Sequence, residues 1–116
     1  MPERLEKYNW SEWRNFPDPR KGEYLIAPIG KGLYQLFNKK TSEYILFGTS
    51  LYCSLRMSSL LPKPHGQGTR NNKFKREYVI ENIADIKYRT VAFLTEVEMK
   101  GTEREIRKMK LHKYNT

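Results

Sequence analysis

The sequence predicts a small α/β domain of the α+β type, in which a three-stranded, largely antiparallel sheet is flanked by helices. Side chains fall alternately on two faces of Gly32–Asn38, which is typical of a strand. The polar segment Lys39–Glu43 then predicts a turn, so that Tyr44–Gly48 folds back as the second strand of a hairpin. The third strand is expected over Ile86–Phe93, which is rich in β-branched and aromatic residues.

Three helices are expected around this sheet. They cover residues 50–61, 73–82 and 95–110. Thr95 and Glu98 have the spacing of a capping box, which marks the start of the last helix. An apolar stripe at three- and four-residue spacing follows in that helix and consists of Met99, Thr102, Ile106 and Met109. Gly101 interrupts the helix at a cost of about 1 kcal/mol, and a close approach to a neighbouring element is the expected reason.

Composition points to one folded domain with an anionic partner. The 116 residues carry a net charge of +9, so nucleic acid, an acidic membrane surface and an acidic protein are the partner classes to weigh. No run is apolar enough to span a bilayer, and Met1–Lys7 lacks the apolar core of a signal peptide. The single cysteine, Cys53, excludes an intrachain disulfide. A cytoplasmic location without membrane contact is therefore expected, and His112 is expected at the protein surface.

Residues 1–24 lie before the expected core. Trp10, Trp13 and Phe16 recur there at helical spacing. They are interpreted as a lid of aromatic side chains that covers the core, and a base-stacking surface is the alternative. The two predicted regions are thus an N-terminal extension over residues 1–24 and a core domain over residues 25–116.

An acid-free basic stretch suits the phosphate backbone of a nucleic acid. No Asp or Glu occurs between Glu43 and Glu77. Residues 62–72 within this stretch form a loop rich in proline and glycine, and the helix expected at 73–82 follows it. The residues expected to bind nucleic acid are Lys63, His65, Arg70, Lys73, Lys75 and Arg76. A solvated surface without a ligand is the alternative for such a charge run.

The order of several short motifs resembles one nuclease family. Gly32-Leu33-Tyr34 is followed by Leu46-Phe47-Gly48, and Arg56 lies eight residues after Gly48. Glu103 lies in the last helix, and Tyr114-Asn115 follows that helix. In order and spacing these residues resemble the GIY-YIG endonuclease domain, across about residues 25–116.

The resemblance implies a metal-dependent endonuclease and assigns a role to each matched residue. Glu103 would bind one divalent cation, Mg²⁺ or Mn²⁺, with phosphate and water completing its shell. Arg56 would bind the scissile phosphate and offset charge in the transition state. Tyr34 would orient or deprotonate the attacking water, with its pKa lowered by neighbouring cations. Gly48 and Asn115 would support the site.

Each matched residue also has a purely structural interpretation. Glu103 lies at the edge of the apolar stripe of its helix, where it could pair with Arg107 one turn further on. Arg56 could be an ordinary surface residue, and Tyr34 could be a buried packing residue. Asn115 could be an exposed residue near the chain end.

Two positions depart from the family pattern. Leu46 stands where the second motif has tyrosine. Tyr44 lies two residues earlier, on the same expected strand face, and is the candidate substitute in the catalytic group. Leu60 stands where many members have histidine or tyrosine, and His65 and Tyr52 are candidates for that space. Both departures affect the expected activation of water more than the expected fold.

The favoured function is hydrolysis of nucleic-acid phosphodiester bonds, with DNA as the favoured substrate. A nucleic-acid-binding module on the same fold, with weak or lost catalysis, is the main alternative because of Leu46 and Leu60. A protein-interaction domain for an acidic partner is the third possibility. The core uses most of the chain, so we expect low sequence specificity, or targeting by nucleic-acid structure, by a protein partner or by a homodimer.

Overall fold

A five-stranded mixed sheet forms the centre of the protein. The computed structural model describes residues 3–62 and 73–114. Its strands are β1 (Arg14–Asn15), β2 (Gly32–Asn38), β3 (Glu43–Ser50), β4 (Ile86–Ala92) and β5 (His112–Tyr114). They lie in the order β1-β4-β2-β3-β5, and all neighbours are antiparallel except β3 and β5. The α+β class and the mainly antiparallel sheet are confirmed. The prediction of three strands was wrong, because the edge strands β1 and β5 are too short to show an alternating pattern.

Four α-helices accompany the sheet in the described residues. They are α1 (Glu3–Glu6), α2 (Cys53–Ser58), α3 (Lys73–Glu81) and α4 (Glu96–Met109). Helix α2 is shorter than expected because β3 continues to Ser50 and because the amides of Ser59 and Leu60 bond carbonyls three residues back, at 3.3 and 3.0 Å. The capping box is confirmed, since the amide of Glu98 donates to Thr95 Oγ1 at 3.2 Å. Among these helices, none has both the length and the apolar character of a membrane span.

Apolar side chains cover both faces of the sheet. One face packs against α2 and α3 through a cluster that includes Leu36, Ile45, Leu46, Met57, Leu60 and Val79. The other face packs against α1 and α4 through a second cluster, which consists of Leu5, Leu33, Tyr44, Phe47, Val91 and Ile106. The sheet is therefore the middle layer between two pairs of helices.

The N-terminal residues are attached to β4 and cover part of the sheet. The amide of Ser11 donates to the carbonyl of Thr90 at 2.8 Å, and the amide of Phe16 donates to that of Ile86 at 2.9 Å. Trp10 and Trp13 pack against the cluster on the α1 and α4 side, whereas Phe16 is buried in the cluster on the other side. The aromatic residues thus lie over the core, as the lid interpretation requires.

Candidate active site

The candidate site lies at an incompletely covered edge of β3. In the described residues, β5 pairs only with the first half of β3. Side chains of α4 approach the second half: Lys100 Nζ lies 3.4 Å from Thr49 Oγ1, and the Arg107 guanidinium lies 5.9 Å from the centre of the Phe47 ring. This edge is where residues from β2, α2, α3 and α4 meet.

Tyr34 and Gly48 form the floor of the site. They are cross-strand partners on β2 and β3. A Cβ added to Gly48 would lie 2.6 Å from Cζ and 3.1 Å from Cε1 of Tyr34, which is too close for carbon atoms. Glycine at this position therefore lets the phenol lie directly over the neighbouring strand. The ring of Tyr34 is largely buried, with 8% of the residue exposed.

Arg56 and Glu103 both affect the pKa of the Tyr34 phenol. Burial raises the pKa of Tyr34, and Arg56 partly opposes this rise through its charge and through a hydrogen bond. The negative charge of Glu103 raises the same pKa further. The charged residues that affect this pKa therefore come from α2 and α4, whereas Tyr34 lies on β2. The net direction is upward, so in the protein alone Arg56 does not lower the pKa of Tyr34 below its usual value.

Glu103 is held between two cations at the edge of α4. Its side chain is 15% exposed, and its carboxylate oxygens lie 3.7 Å from Lys100 Nζ and 3.5 Å from an Arg107 Nη atom. The pairing with Arg107 that sequence spacing allows is therefore present. In residues 3–62 and 73–114, no group of three or more His, Cys, Asp or Glu side chains is arranged to hold a metal ion. A cation here would depend on one protein carboxylate.

Lys75 adds a third helix to the site. Burial lowers the pKa of this lysine, and the nearby charges of Arg56 and Arg107 lower it further. Arg56 on α2 and Arg107 on α4 are therefore both near Lys75 on α3. Such a group is stabilised by an anion placed among them, and phosphate is the anion that a nucleic acid would provide.

The other residues expected to bind nucleic acid lie in different surroundings or outside the described residues. Lys73 is exposed on α3. Arg76 donates from Nη2 to the carbonyl of Leu61 at 2.9 Å, so it joins α3 to the segment after α2. The remaining positions, Lys63, His65 and Arg70, lie outside the described residues, and so does Asn115, which is expected to support the site. Of the predicted nucleic-acid contacts, Lys75 is the one that the structure places beside Arg56.

Tyr44 does not lie in the site. Leu36 pairs with Leu46 while Phe37 pairs with Tyr44, so Ile45 is an extra residue in β3 and forms a β-bulge. The bulge turns Tyr44 away from the face of Leu46 and into the cluster on the α1 and α4 side. The expectation that Tyr44 shares a face with Leu46 was wrong, because a strict period of two cannot anticipate a bulge.

The two leucines that depart from the family pattern are core residues. Leu46 and Leu60 are 1% and 3% exposed, and both belong to the same buried cluster as Tyr34. Tyr52, a candidate for the space at Leu60, is 61% exposed on the outside of the molecule. Neither leucine offers a polar group to a substrate. Among the described residues, the groups at this edge that could act on a substrate are Tyr34, Glu103 and the surrounding cations.

A buried polar network behind the site was missed by sequence reasoning. Arg89 on β4 donates from Nε to Gln35 Oε1 at 2.7 Å and from Nη1 to both carboxylate oxygens of Glu6 at 3.1 Å. Its guanidinium lies between Trp10 and Trp13, 4.1 and 4.3 Å from their ring centres. The sequence feature that could have revealed this network is one polar residue in the middle of each of two apolar strands, Gln35 in β2 and Arg89 in β4. The two residues are cross-strand partners.

His112 belongs to the same network and is buried, so its expected surface position was wrong. It lies against the rings of Tyr44 and Phe47, with centroid distances of 5.5 and 4.6 Å. Its Nε2 lies 3.0 Å from Gln35 Nε2. Because Gln35 Oε1 accepts from Arg89, the Gln35 amide nitrogen donates to His112, and Nε2 must be the unprotonated ring nitrogen. Burial, and then the charge of Arg89, lower the pKa of His112 to about 4.

Comparisons with known proteins found no relative of this chain. The chain matches no protein-family model, and no curated protein or solved structure matches it significantly.

Proposed function

We propose that the protein is a metal-dependent endonuclease of the GIY-YIG type that hydrolyses phosphodiester bonds, with DNA as its substrate. The main support is the convergence of Tyr34, Arg56 and Glu103 at the edge of β3. These residues come from β2, α2 and α4 and are far apart in sequence, yet each of the other two alters the pKa of Tyr34. Motif residues that converge in this way support a shared site better than any one of them alone.

Arg56 and Lys75 would receive the scissile phosphate. Both belong to the cationic group at the edge of β3, and the fork of a guanidinium suits two phosphate oxygens. In the reaction, the oxygen of a water molecule bonds to phosphorus as the ester P–O bond breaks. The water gives up a proton to solvent, and the leaving alkoxide is protonated. Arg56 would stabilise the negative charge that spreads over the phosphate oxygens.

Tyr34 would orient the attacking water. Burial keeps its pKa above the usual value, so the neutral phenol is the form present at physiological pH. A neutral phenol can hold a water molecule by hydrogen bonding but is a poor acceptor for its proton. Its place over Gly48 fixes the hydroxyl relative to Arg56, which is what a positioning role requires.

Glu103 is the residue that would hold the cation. Its carboxylate is a hard oxygen donor, which Mg²⁺ and Mn²⁺ prefer, and it fits the metal if phosphate and water provide the other ligands. Lys100 and Arg107 lie near its oxygens at 3.7 and 3.5 Å, so they would have to shift or share the carboxylate. When bound, the cation would supply positive charge for the leaving oxygen.

A nucleic-acid-binding module with weak or lost catalysis is the second candidate. It is favoured by the burial of Leu46 and Leu60 and by the position of Tyr44 on the other side of the sheet. These three facts leave Tyr34 as the hairpin tyrosine at the site. The cationic group would serve phosphate binding equally well in such a module.

Cleavage of supercoiled plasmid by the purified protein tests the proposal. The reaction is run with Mg²⁺, Mn²⁺ or EDTA, and wild type is compared with Glu103→Ala. Glu105→Ala is the matched control, because Glu105 lies on the same helix but pairs with Lys7 and Tyr8 at 3.5 and 3.0 Å. A gel shift in EDTA measures binding separately from cleavage.

Three outcomes separate the candidate functions. Metal-dependent nicking that persists in Glu105→Ala and disappears in Glu103→Ala supports the nuclease. Absence of cleavage with either metal, together with salt-sensitive binding, would support the binding module instead. Absence of binding even at low salt would reject both and leave a partner of another class, such as an acidic protein.

A further inference from the structure

The outward face of α4 carries a stripe of basic side chains. Lys100, Arg104 and Lys108 lie four residues apart, so they share one side of the helix, and all three are exposed. The opposite side is buried through Met99 and Ile106. The stripe therefore faces away from the core, on a surface separate from the α3 residues that the sequence favours for nucleic-acid binding.

Glu103 and Glu105, two acidic residues of α4, do not neutralise Arg104 and Lys108 of this stripe. Glu105 accepts a hydrogen bond from the Tyr8 hydroxyl, and Glu103 pairs with Lys100 and Arg107. Within residues 3–62 and 73–114, no salt bridge involves Arg104 or Lys108. Their charges are thus available to a partner.

A concavity at the C-terminal half of α4 is surrounded by positive charge. It has a volume of about 300 Å³ and is lined by Arg104, Arg107, Lys108 and Lys110. Cations in the last turn also favour the negative end of the helix dipole, which could account for Lys108 and Lys110. That effect is confined to the last turn, so it does not account for Lys100 and Arg104. The lining of the concavity is mainly the aliphatic part of these side chains, so a phosphate group would be contacted by their charged ends.

Gly101 leaves the backbone of α4 open beside the stripe. A Cβ added there would meet only Arg104 Nη2, at 4.0 Å, so the expected close approach to another element of the chain was wrong. Glycine in a helix lowers stability relative to alanine, and no packing contact in residues 3–62 and 73–114 explains its presence here. Glycine is also the residue that allows a ligand to approach the backbone closely.

We propose that the outward face of α4 binds the phosphate backbone of the same nucleic acid that the edge of β3 is proposed to cleave. The inference rests on the proposed function. Arg107 connects the two surfaces, because it contacts Glu103 in the site and also lines the concavity. Lys100 and Lys108 are separated by about 12 Å along the helix. One strand of a duplex carries a phosphate about every 3.4 Å along the duplex axis, so a stripe aligned with that axis spans three or four phosphates.

The salt dependence of DNA binding tests the inference. The double variant Arg104→Gln/Lys108→Gln removes two charges from α4, and Lys39→Gln/Lys40→Gln removes two from the exposed hairpin turn as a matched control. Binding of a short labelled DNA duplex is measured in EDTA over a series of salt concentrations. We expect the α4 variant to bind about tenfold more weakly and to reduce the slope of log K against log salt by about 1.8. The control should retain the wild-type slope.

A second variant tests Gly101 itself. Gly101→Gln should raise the melting temperature, because glutamine is a better helix former, and yet weaken duplex binding about threefold. A structural role for the glycine would not move stability and binding in opposite directions. An unchanged slope in the α4 double variant would overturn the inference, and wild-type binding by Gly101→Gln would remove Gly101 from the proposed contact.

The inference and the proposed function can fail separately. If plasmid is cleaved but the α4 variant binds like wild type, the nuclease remains and the α4 surface is rejected. If the α4 variant changes the slope but no metal supports cleavage, the α4 surface remains and the nuclease is rejected. If polyglutamate binds to the α4 face and the duplex does not, the partner is an acidic protein and the inference is wrong.

Discussion

The phenol ring of Tyr34 lies across the backbone of Gly48, its partner on the neighbouring strand. Because Gly48 has no side chain, the Tyr34 ring can occupy this position. The position of the ring in turn sets that of the Tyr34 hydroxyl, which is proposed to hold the attacking water. A methyl group at Gly48 could be accommodated only if the ring moved.

Gly48→Ala should therefore damage both stability and activity. Overpacking at such a contact costs about 1–3 kcal/mol, and the displaced Tyr34 hydroxyl should abolish metal-dependent nicking. Urea unfolding and the plasmid assay measure the two effects. Gly30→Ala is the matched control, since nothing lies within 4 Å of an added Cβ there. Similar behaviour of the two variants would mean that Tyr34 is not held by Gly48.

The buried histidine predicts a loss of stability in acid. The pKa of His112 is lowered to about 4, whereas an unfolded chain has a value near 6.5. Between these values the unfolded state binds the proton and the folded state does not, so stability falls as pH falls. The loss should be about 1.4 kcal/mol per pH unit and about 3 kcal/mol by pH 4. Urea unfolding at a series of pH values measures it.

His112→Gln provides the control for this titration. Carboxylates also titrate in acid, so the relevant quantity is the difference between wild type and variant. The variant should be less stable at neutral pH but should lose less stability between pH 6.5 and pH 4. Parallel pH profiles would show that His112 is not the group responsible.

Arg89 should not be replaceable by lysine. The guanidinium bonds Gln35 and Glu6 while its plane is stacked between two tryptophan rings, and an ammonium cannot reproduce both contacts. We expect Arg89→Lys to destabilise the protein by about 2 kcal/mol and to change the tryptophan fluorescence. Arg14→Lys is the matched control at a half-buried arginine that pairs with Glu12. Equal stability of the two variants would contradict the role of the network.

Local patterns predicted the regular part of the fold and failed where the chain departs from regular geometry. The hairpin, β4 and α4 have periodic side chains or a capping box, and all were anticipated. The bulge at Ile45 adds one residue without a glycine or proline to mark it, so the face of Tyr44 was assigned wrongly. The strands β1 and β5 have two and three residues, and their pairing depends on tertiary contacts rather than on their own sequence.

The candidate site was partly foreseeable for a related reason. Motif order identified Tyr34, Arg56 and Glu103, since their spacing is visible in the sequence. The place of Lys75 beside Arg56 depends on how α3 packs, and the buried network around Arg89 depends on pairing between distant strands. Neither relationship leaves a signal at a fixed spacing along the chain.

Gly101→Ala should stabilise the protein by about 1 kcal/mol. Alanine is the better helix former, and an added Cβ would meet no atom closer than 4.0 Å. Thermal and urea unfolding measure the gain. Gly32→Ala should have the opposite sign, because its Cβ would lie 2.8 Å from Cβ of Cys53. A loss of stability in Gly101→Ala would reveal a packing role that the described contacts do not contain.

Arg56→Lys should separate charge from geometry at the proposed phosphate site. Lysine keeps the positive charge but lacks the planar fork that bonds two phosphate oxygens at once. We expect plasmid cleavage to fall by about 10²-fold or more, while duplex binding in EDTA falls only slightly. Arg14→Lys, the same change on β1 at the opposite edge of the sheet, should preserve cleavage because this arginine pairs with Glu12 and lies outside both proposed binding surfaces. If both variants cleave like wild type, the planar fork of Arg56 is not needed for cleavage and the residue contributes only its charge.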